Sequence, residues 1–234
     1  MIISDYIAID LETTGIRLSK DKIIEVGLLK VKDSHIIDTL SCVINPDIQV
    51  DDKILELTKI SEKELRNAKR IHEVINHIVD FCEEYVLLGH NTIFDYSFVK
   101  REANRAGLEF EKRGIDTYKL CKKVLPENVR KNLTDACGYF GIERKNSHRA
   151  FSDAFYTHVL FQEIIKNFKT LEISPEAMKV KIKKFVPIRK RTKEDLQKLL
   201  NCHRIGCKVN INLLSESEAK RMMDKIKSGS INFT

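Results

Sequence analysis

Tyr6-Ile7-Ala8-Ile9-Asp10-Leu11-Glu12-Thr13-Thr14-Gly15 opens as an aromatic and β-branched apolar run and closes on a turn, the pattern of a buried strand. Asp10 and Glu12 stand two residues apart at its end, so both carboxylates project from one face of a sheet. Two acids side by side on an apolar strand repel each other and lose hydration unless a cation neutralises them. Oxygen-only ligands of this kind suit Mg2+ or Mn2+. A sheet end can also carry acids for solubility, so the pair alone leaves both readings open.

Working outward, residues 23–31 and 35–44, split by the polar Lys32-Asp33-Ser34, predict an antiparallel pair that extends the first strand. Past Asn45-Pro46, Ile71, Val74, Ile75, Ile78, Val79 and Cys82 recur at three- and four-residue intervals, the stripe of an amphipathic helix. His72 and His77 lie in that helix with no acidic or nucleophilic partner at site-like spacing, and read as solvated histidines. Tyr85-Val86-Leu87-Leu88 predicts a short strand ending at Gly89, and a helix begins near Asp95. Ile115 opens a last short strand or helix entry, helical stretches follow over 118–124 and 133–140, and Ala150 to Ile165 trace a long helix whose apolar face must pack on the sheet. The expected fold class is α/β: a mixed five-stranded sheet with flanking helices, then a small helical module.

Two later segments bear on the acid pair. Gly89-His90-Asn91-Thr92-Ile93-Phe94-Asp95 sets a third carboxylate just after a strand, at a helix start that favours negative charge, although Asp95 also reads as a simple N-cap. His148-Arg149-Ala150-Phe151-Ser152-Asp153 sets a histidine five residues before a fourth carboxylate at the mouth of the long helix.

Together, Asp10 through Gly15, Asn91 through Asp95 and His148 through Asp153 resemble, in order and spacing, the three motifs of the DEDDh exonuclease family. That family includes the proofreading epsilon subunit of bacterial DNA polymerase III and exonucleases acting on RNA ends. The resemblance spans roughly residues 1–168 and implies a ribonuclease-H-like fold. It implies two divalent cations, Mg2+ or Mn2+, with Asp10 bridging them and Glu12, Asp95 and Asp153 completing the cage. His148 is implied to take the proton from the attacking water, which requires a neutral imidazole. Thr13, Thr14, Gly15 and Asn91 are implied to approach the terminal nucleotide. Many members carry a His-Gly pair before Ile-Thr where Leu57-Thr58-Lys59-Ile60-Ser61 stands here, so the nucleotide contact made by that histidine is not implied.

The expected function is hydrolysis of phosphodiester bonds from the 3′ end of DNA, releasing nucleoside 5′-monophosphates for proofreading or repair. A 3′→5′ exoribonuclease is the alternative, because discrimination of the 2′-hydroxyl depends on pocket geometry. A noncatalytic nucleic-acid-binding protein is a third reading, against which the five intact chemical positions argue. Expected partners are single-stranded nucleic acid or 3′ ends, DNA over RNA. No polymerase domain is expected within the 234 residues, so proofreading would act through a DNA polymerase subunit on another chain.

The net charge of +7 is unevenly spread. Residues 1–165 carry 24 basic and 27 acidic side chains, net −3, whereas residues 166–234 carry 17 and 7, net +10. Within that tail residues 179–191 hold seven cations and no anion, a linker or a phosphate-contacting arm. Thr192-x-x-Asp195 and Ser215-x-x-Glu218 are capping-box patterns, and Gly229 is placed to end a helix. The expected organisation is an exonuclease domain over 1–168, a basic linker over 169–191 and a helical hairpin over 192–234. Gln162-x-x-Ile165-x-x-Phe168 resembles a sliding-clamp peptide but falls in the long core helix, where packing explains it. The six cysteines lack C-x-x-C spacing, and Cys202-His203 with Cys207 reads as ordinary thiols rather than a zinc site. No apolar run nears the ~18 residues of a membrane span and no leader is evident, so a soluble cytoplasmic protein without membrane contact is expected.

Overall fold

The computed structural model describes residues 3–145, 147–182, 185–203, 205 and 210–229. In chain order the elements are β1 (Tyr6–Thr13), β2 (Ile23–Lys32), β3 (His35–Val43), α1 (Asp52–Thr58), α2 (Glu62–Asn67), α3 (Ile71–Cys82), β4 (Leu87–Gly89), α4 (Thr92–Arg105), β5 (Arg113–Asp116), α5 (Thr117–Val124), α6 (Leu133–Tyr139), α7 (Ala150–Asn167), β6 (Glu176–Ala177), α8 (Lys190–Cys202) and α9 (Glu216–Lys227). They form two compact units, Met1–Ile182 and Lys183–Thr234.

The first unit is built on a sheet in the order β3-β2-β1-β4-β5-β6. β1 pairs antiparallel with β2 and parallel with β4, so the strand carrying the acid pair lies inside the sheet. Period-two alternation divides its side chains between two cores. Ile7, Ile9 and Leu11 join Ile75, Ile78, Phe98 and Val99 of α3 and α4, while Tyr6 and Ala8 join Ala136, Leu160, Phe161 and Ile164 of α6 and α7. Each buried Ile, Leu, Val or Phe among them contributes ~1.5–3 kcal/mol. The same alternation assigns Asp10 and Glu12 to the α7 face, which is why a ligand borne by α7 can reach them.

The sheet has six strands where five were expected. The sixth, Glu176–Ala177, is a two-residue antiparallel edge beside β5, too short for a sequence pattern. It is anchored by Met178, which packs over Gly114, where a Cβ would lie 2.6 Å from the sulfur. Leu171 and Ile173 also pack on the α7-side core, so the opening of the segment read as a basic linker lies within the first unit. α1 and α2 had no counterpart in the sequence reading; at seven and six residues they show no full amphipathic repeat, and local caps from Asp51 and the Ser61–Glu64 box hold them. α4 starts three residues earlier than expected, after Asn91 in the left-handed region at φ 77°. Gln162 donates to the Tyr6 hydroxyl at 2.6 Å and Ile165 and Phe168 face the core, which accounts for the clamp-like spacing.

In the second unit α8 and α9 enclose Leu196, Leu200, Ala219 and Ile226. The Ser215–Glu218 capping box forms, and Gly229 follows α9 at φ +66°. Thr192 does not cap: α8 already begins at Lys190, and the Thr192 hydroxyl donates to Glu216 at 2.9 Å. Among the described residues Cys42, Cys82, Cys121, Cys137 and Cys202 are free thiols, while Cys207 lies outside the described residues. No described helix is long and apolar enough to cross a membrane.

Candidate active site

Three elements deliver the acids. Asp10 and Glu12 sit at the end of β1, facing Gly27 and Glu25 of β2 in register. Asp95 lies in the first turn of α4, buried, its Oδ1 accepting the Leu11 N–H at 3.1 Å between the two strand acids. Asp153 lies in the first turn of α7, also buried. His148 precedes that helix with a left-handed φ of 64° and an exposed ring. Ligand atoms of Glu12, His148 and Asp153 lie within 4.8 Å of one another.

The acids strain one another electrostatically. Asp10 is held well above the usual carboxylate range, by burial first and then by Asp95, Asp153 and Glu12. Burial, then Asp153 and Glu25, push Glu12 up to about 8. Burial likewise raises Asp95, against the opposing Leu11 hydrogen bond. A set of oxygen donors that resists ionisation through burial and mutual repulsion fits hard divalent cations. His90, the other histidine near these acids, is turned away: its Nε2 is bonded to the Lys131 carbonyl at 2.7 Å, and burial lowers its pKa.

Of the expected nucleotide contacts, the Thr13 hydroxyl donates to the Gly15 carbonyl at 2.7 Å, and Thr14 Oγ1 accepts the Lys22 N–H at 2.9 Å. A Cβ on Gly15 would lie 2.5 Å from Asp21 Oδ2, so the loop closes only around glycine. Arg101, reaching from α4, donates to the carbonyls of Leu18 and Asp21 and ties the loop to the helix that carries Asp95. The Asn91 N–H donates to Asp116 Oδ1 at 2.9 Å, leaving an exposed side chain.

Sequence reasoning missed what seats α7. Gly27 lets the helix lie directly on β2, since a Cβ there would fall 2.3 Å from the Ala150 carbonyl carbon and Phe151 nitrogen. Beside it the buried Glu25 accepts Arg149 Nε at 3.0 Å and Nη2 at 2.8 Å, and the Ala150 N–H at 2.9 Å. A lone acid inside the apolar run Ile23-Ile24-Glu25-Val26 was the available signal. Glu25→Gln keeps the shape but not the charge, and is expected to destabilise the fold by ~1–3 kcal/mol, read from urea denaturation. A midpoint equal to that of the wild type would remove Glu25 as the seat of the helix.

The Exonuclease family model, RNase_T, matches residues 7–161. The PolC-type DNA polymerase III of Caldanaerobacter subterraneus subsp. tengcongensis is 32% identical over 169 residues, 72% of this chain and 12% of that protein. The 3′-5′ exonuclease DinG of Staphylococcus epidermidis is 31% identical over 201 residues, 86% of this chain and 22% of its own length. The chain thus spans less than a quarter of either relative. Among solved structures, Exonuclease X in complex with 5′ overhanging duplex DNA has a TM-score of 0.57 at 23% identity, covering 74% of this chain and 96% of that one. The nuclease domain of 3′hExo, a DEDDh family member bound to rAMP, has a TM-score of 0.62 at 19% identity, covering 74% and 97%. At these identities the likeness is one of fold. The sequence match runs from β1 into α7 over more than half of the 234 residues, and the chain belongs to the exonuclease family.

Proposed function

We propose that this chain hydrolyses phosphodiester bonds one nucleotide at a time from the 3′ end of DNA, releasing nucleoside 5′-monophosphates. The observation that carries the reading is the convergence of four carboxylates from β1, α4 and α7, with His148 on their solvent side. Asp10, Glu12, Asp95 and Asp153 would hold two divalent cations, Mg2+ or Mn2+. Once bound, these would neutralise charge on the reacting phosphate and raise the acidity of the attacking water. His148 receives that water's proton; its exposed ring can pass the proton on to solvent. Thr13, Thr14 and Gly15, fixed by their own hydrogen bonds, present small groups and backbone to the terminal nucleotide, with Asn91 four residues before Asp95.

Polarity and substrate are supported by the relatives: a protein named 3′-5′ exonuclease and a solved structure with overhanging duplex DNA. The similarity to PolC-type DNA polymerase III supports a polymerase subunit as a partner, and the +10 charge of residues 166–234 supports phosphate contact by the basic tail. The rAMP-bound neighbour keeps RNA ends as the second reading.

Matched 5′-labelled DNA and RNA oligonucleotides, digested with Mn2+ or with EDTA, test the proposal. A ladder shortening from the 3′ end, present with Mn2+ and absent with EDTA, is the expected result, with DNA cut faster. Faster cutting of RNA would move the function to RNA ends. Binding of both strands without cleavage of either would replace catalysis with a binding role.

A further inference from the structure

Asp153 meets a cation before any metal arrives. Its Oδ1 accepts a hydrogen bond from Nη2 of Arg144, and the two side chains are only 7% and 11% exposed, Arg144 being the lower. The guanidinium is held on further sides: Nη1 donates to Thr134 Oγ1 at 2.6 Å, and the group stands 5.6 Å over the Tyr156 ring. The Tyr156 hydroxyl in turn accepts the N–H of Lys145, the next residue, at 2.8 Å. Arg144 Nε is buried with no partner, an unfavourable arrangement that apolar packing alone would not maintain. The other nearby arginine, Arg149, is engaged by Glu25. Nothing in the mechanism above uses Arg144.

A guanidinium fixed in this way is not easily displaced. Moving the guanidinium away would break its bonds to both Asp153 and Thr134 and strip the buried acid of its partner, whereas a divalent cation needs only one of that acid's oxygens. A fixed positive charge this close repels an incoming divalent cation. We propose that Arg144 is a resident counter-charge of the carboxylate cluster: it keeps Asp153 a one-oxygen ligand and weakens divalent-cation binding in the absence of nucleic acid. The full complement of cations is then held only when the phosphate of a 3′ end adds its own oxygens and negative charge, a sharing of ligands that Mg2+ sites commonly use. Idle enzyme is thereby kept short of metal, and Arg144 acts as a positioning residue for Asp153.

The inference rests on the metal-dependent reading above, and one experiment separates the two. Mn2+ is titrated calorimetrically into the full chain without nucleic acid, for the wild type, Arg144→Gln and Arg144→Lys. Arg144→Gln, which keeps donors but no charge, is expected to bind Mn2+ about tenfold more tightly; Arg144→Lys, which keeps the charge, should stay within about twofold of the wild type. A folded Arg144→Gln protein that binds Mn2+ no more tightly than the wild type overturns the proposal. If that variant does not fold, Thr134→Val at an exposed position loosens the guanidinium instead, with about two- to threefold tightening expected and unchanged affinity overturning the proposal. If neither the wild type nor the folded Arg144→Gln protein binds Mn2+, the metal reading itself is overturned, and this inference with it.

Discussion

Asp10→Asn is expected to lose activity by at least about a thousandfold, ~4 kcal/mol of transition-state stabilisation, while making the metal-free protein more stable. The two effects have one cause. Asp10 faces Asp95, Asp153 and Glu12 and is held well above the usual carboxylate range, and Glu12 is pushed up to about 8. Carboxyls raised by folding favour the folded state most below their ordinary values, and that contribution is lost as pH climbs through the folded value. Metal-free wild type should therefore lose stability between about pH 4.5 and pH 8, by up to ~1.4 kcal/mol per pH unit for each titrating acid. Mn2+ should restore it, most strongly at pH 8. Asparagine at position 10 imitates the protonated acid: at pH 8 without metal a melting temperature several degrees above the wild type is expected, since ~1 kcal/mol moves a domain of this size by about 2–4 °C. Its response to Mn2+ should be lost. Melting curves at pH 5 and pH 8, with and without Mn2+, check this; a variant less stable than wild type at pH 8 would contradict the account of the acid cluster.

Gly27→Ala tests the seat of α7, and a single methyl group is expected to cost most of the activity. The new Cβ would lie 2.3 Å from two backbone atoms and 2.5 Å from the Ala150 carbonyl oxygen. None of these is the end of a flexible side chain, so the helix start itself must lift. Overpacking of this kind costs ~1–3 kcal/mol or more. The catalytic effect should be larger in proportion, because Gly27 stands opposite Asp10 in register and the lifted turn carries Asp153. A displacement of about 1 Å in a reacting group is worth ~100-fold in rate. Turnover of a 5′-labelled DNA strand, measured well below the melting temperature, should fall by about that factor or more with the circular dichroism spectrum kept. Full activity in the folded variant would show that helix placement does not set the geometry.

The strands and long helices were legible because their patterns are local: alternation in β1, the stripe of α3, the apolar run of α7. Asp10, Glu12, Asp95, His148 and Asp153 were legible as candidates because three short motifs carry them, and the structure brings them to one place. What supports them was not. Glu25 and Arg149 are 124 residues apart in sequence, Arg101 meets Leu18 and Asp21 across 83 and 80, and no periodicity connects such partners. Gly27 stands within an apolar strand run, where a glycine signals a close backbone approach without naming the neighbour. Arg144 is nine residues from Asp153, yet it sits in a loop without a pattern. β6 owes its existence to the space above Gly114, a tertiary fact with no local trace.

The distance between the two halves of that helix seat also governs when the acid cluster is completed. A ribosome adding about 5–20 residues per second needs roughly 6–25 s to travel the 124 residues from Glu25 to Arg149. Through nearly all of that interval β1 has been made, with Asp10 and Glu12, while His148 and Asp153 have not been synthesised. The unfinished polypeptide thus carries an acid cluster short of its fourth carboxylate, which is completed only when the last large helix of the first unit drops onto its glycine.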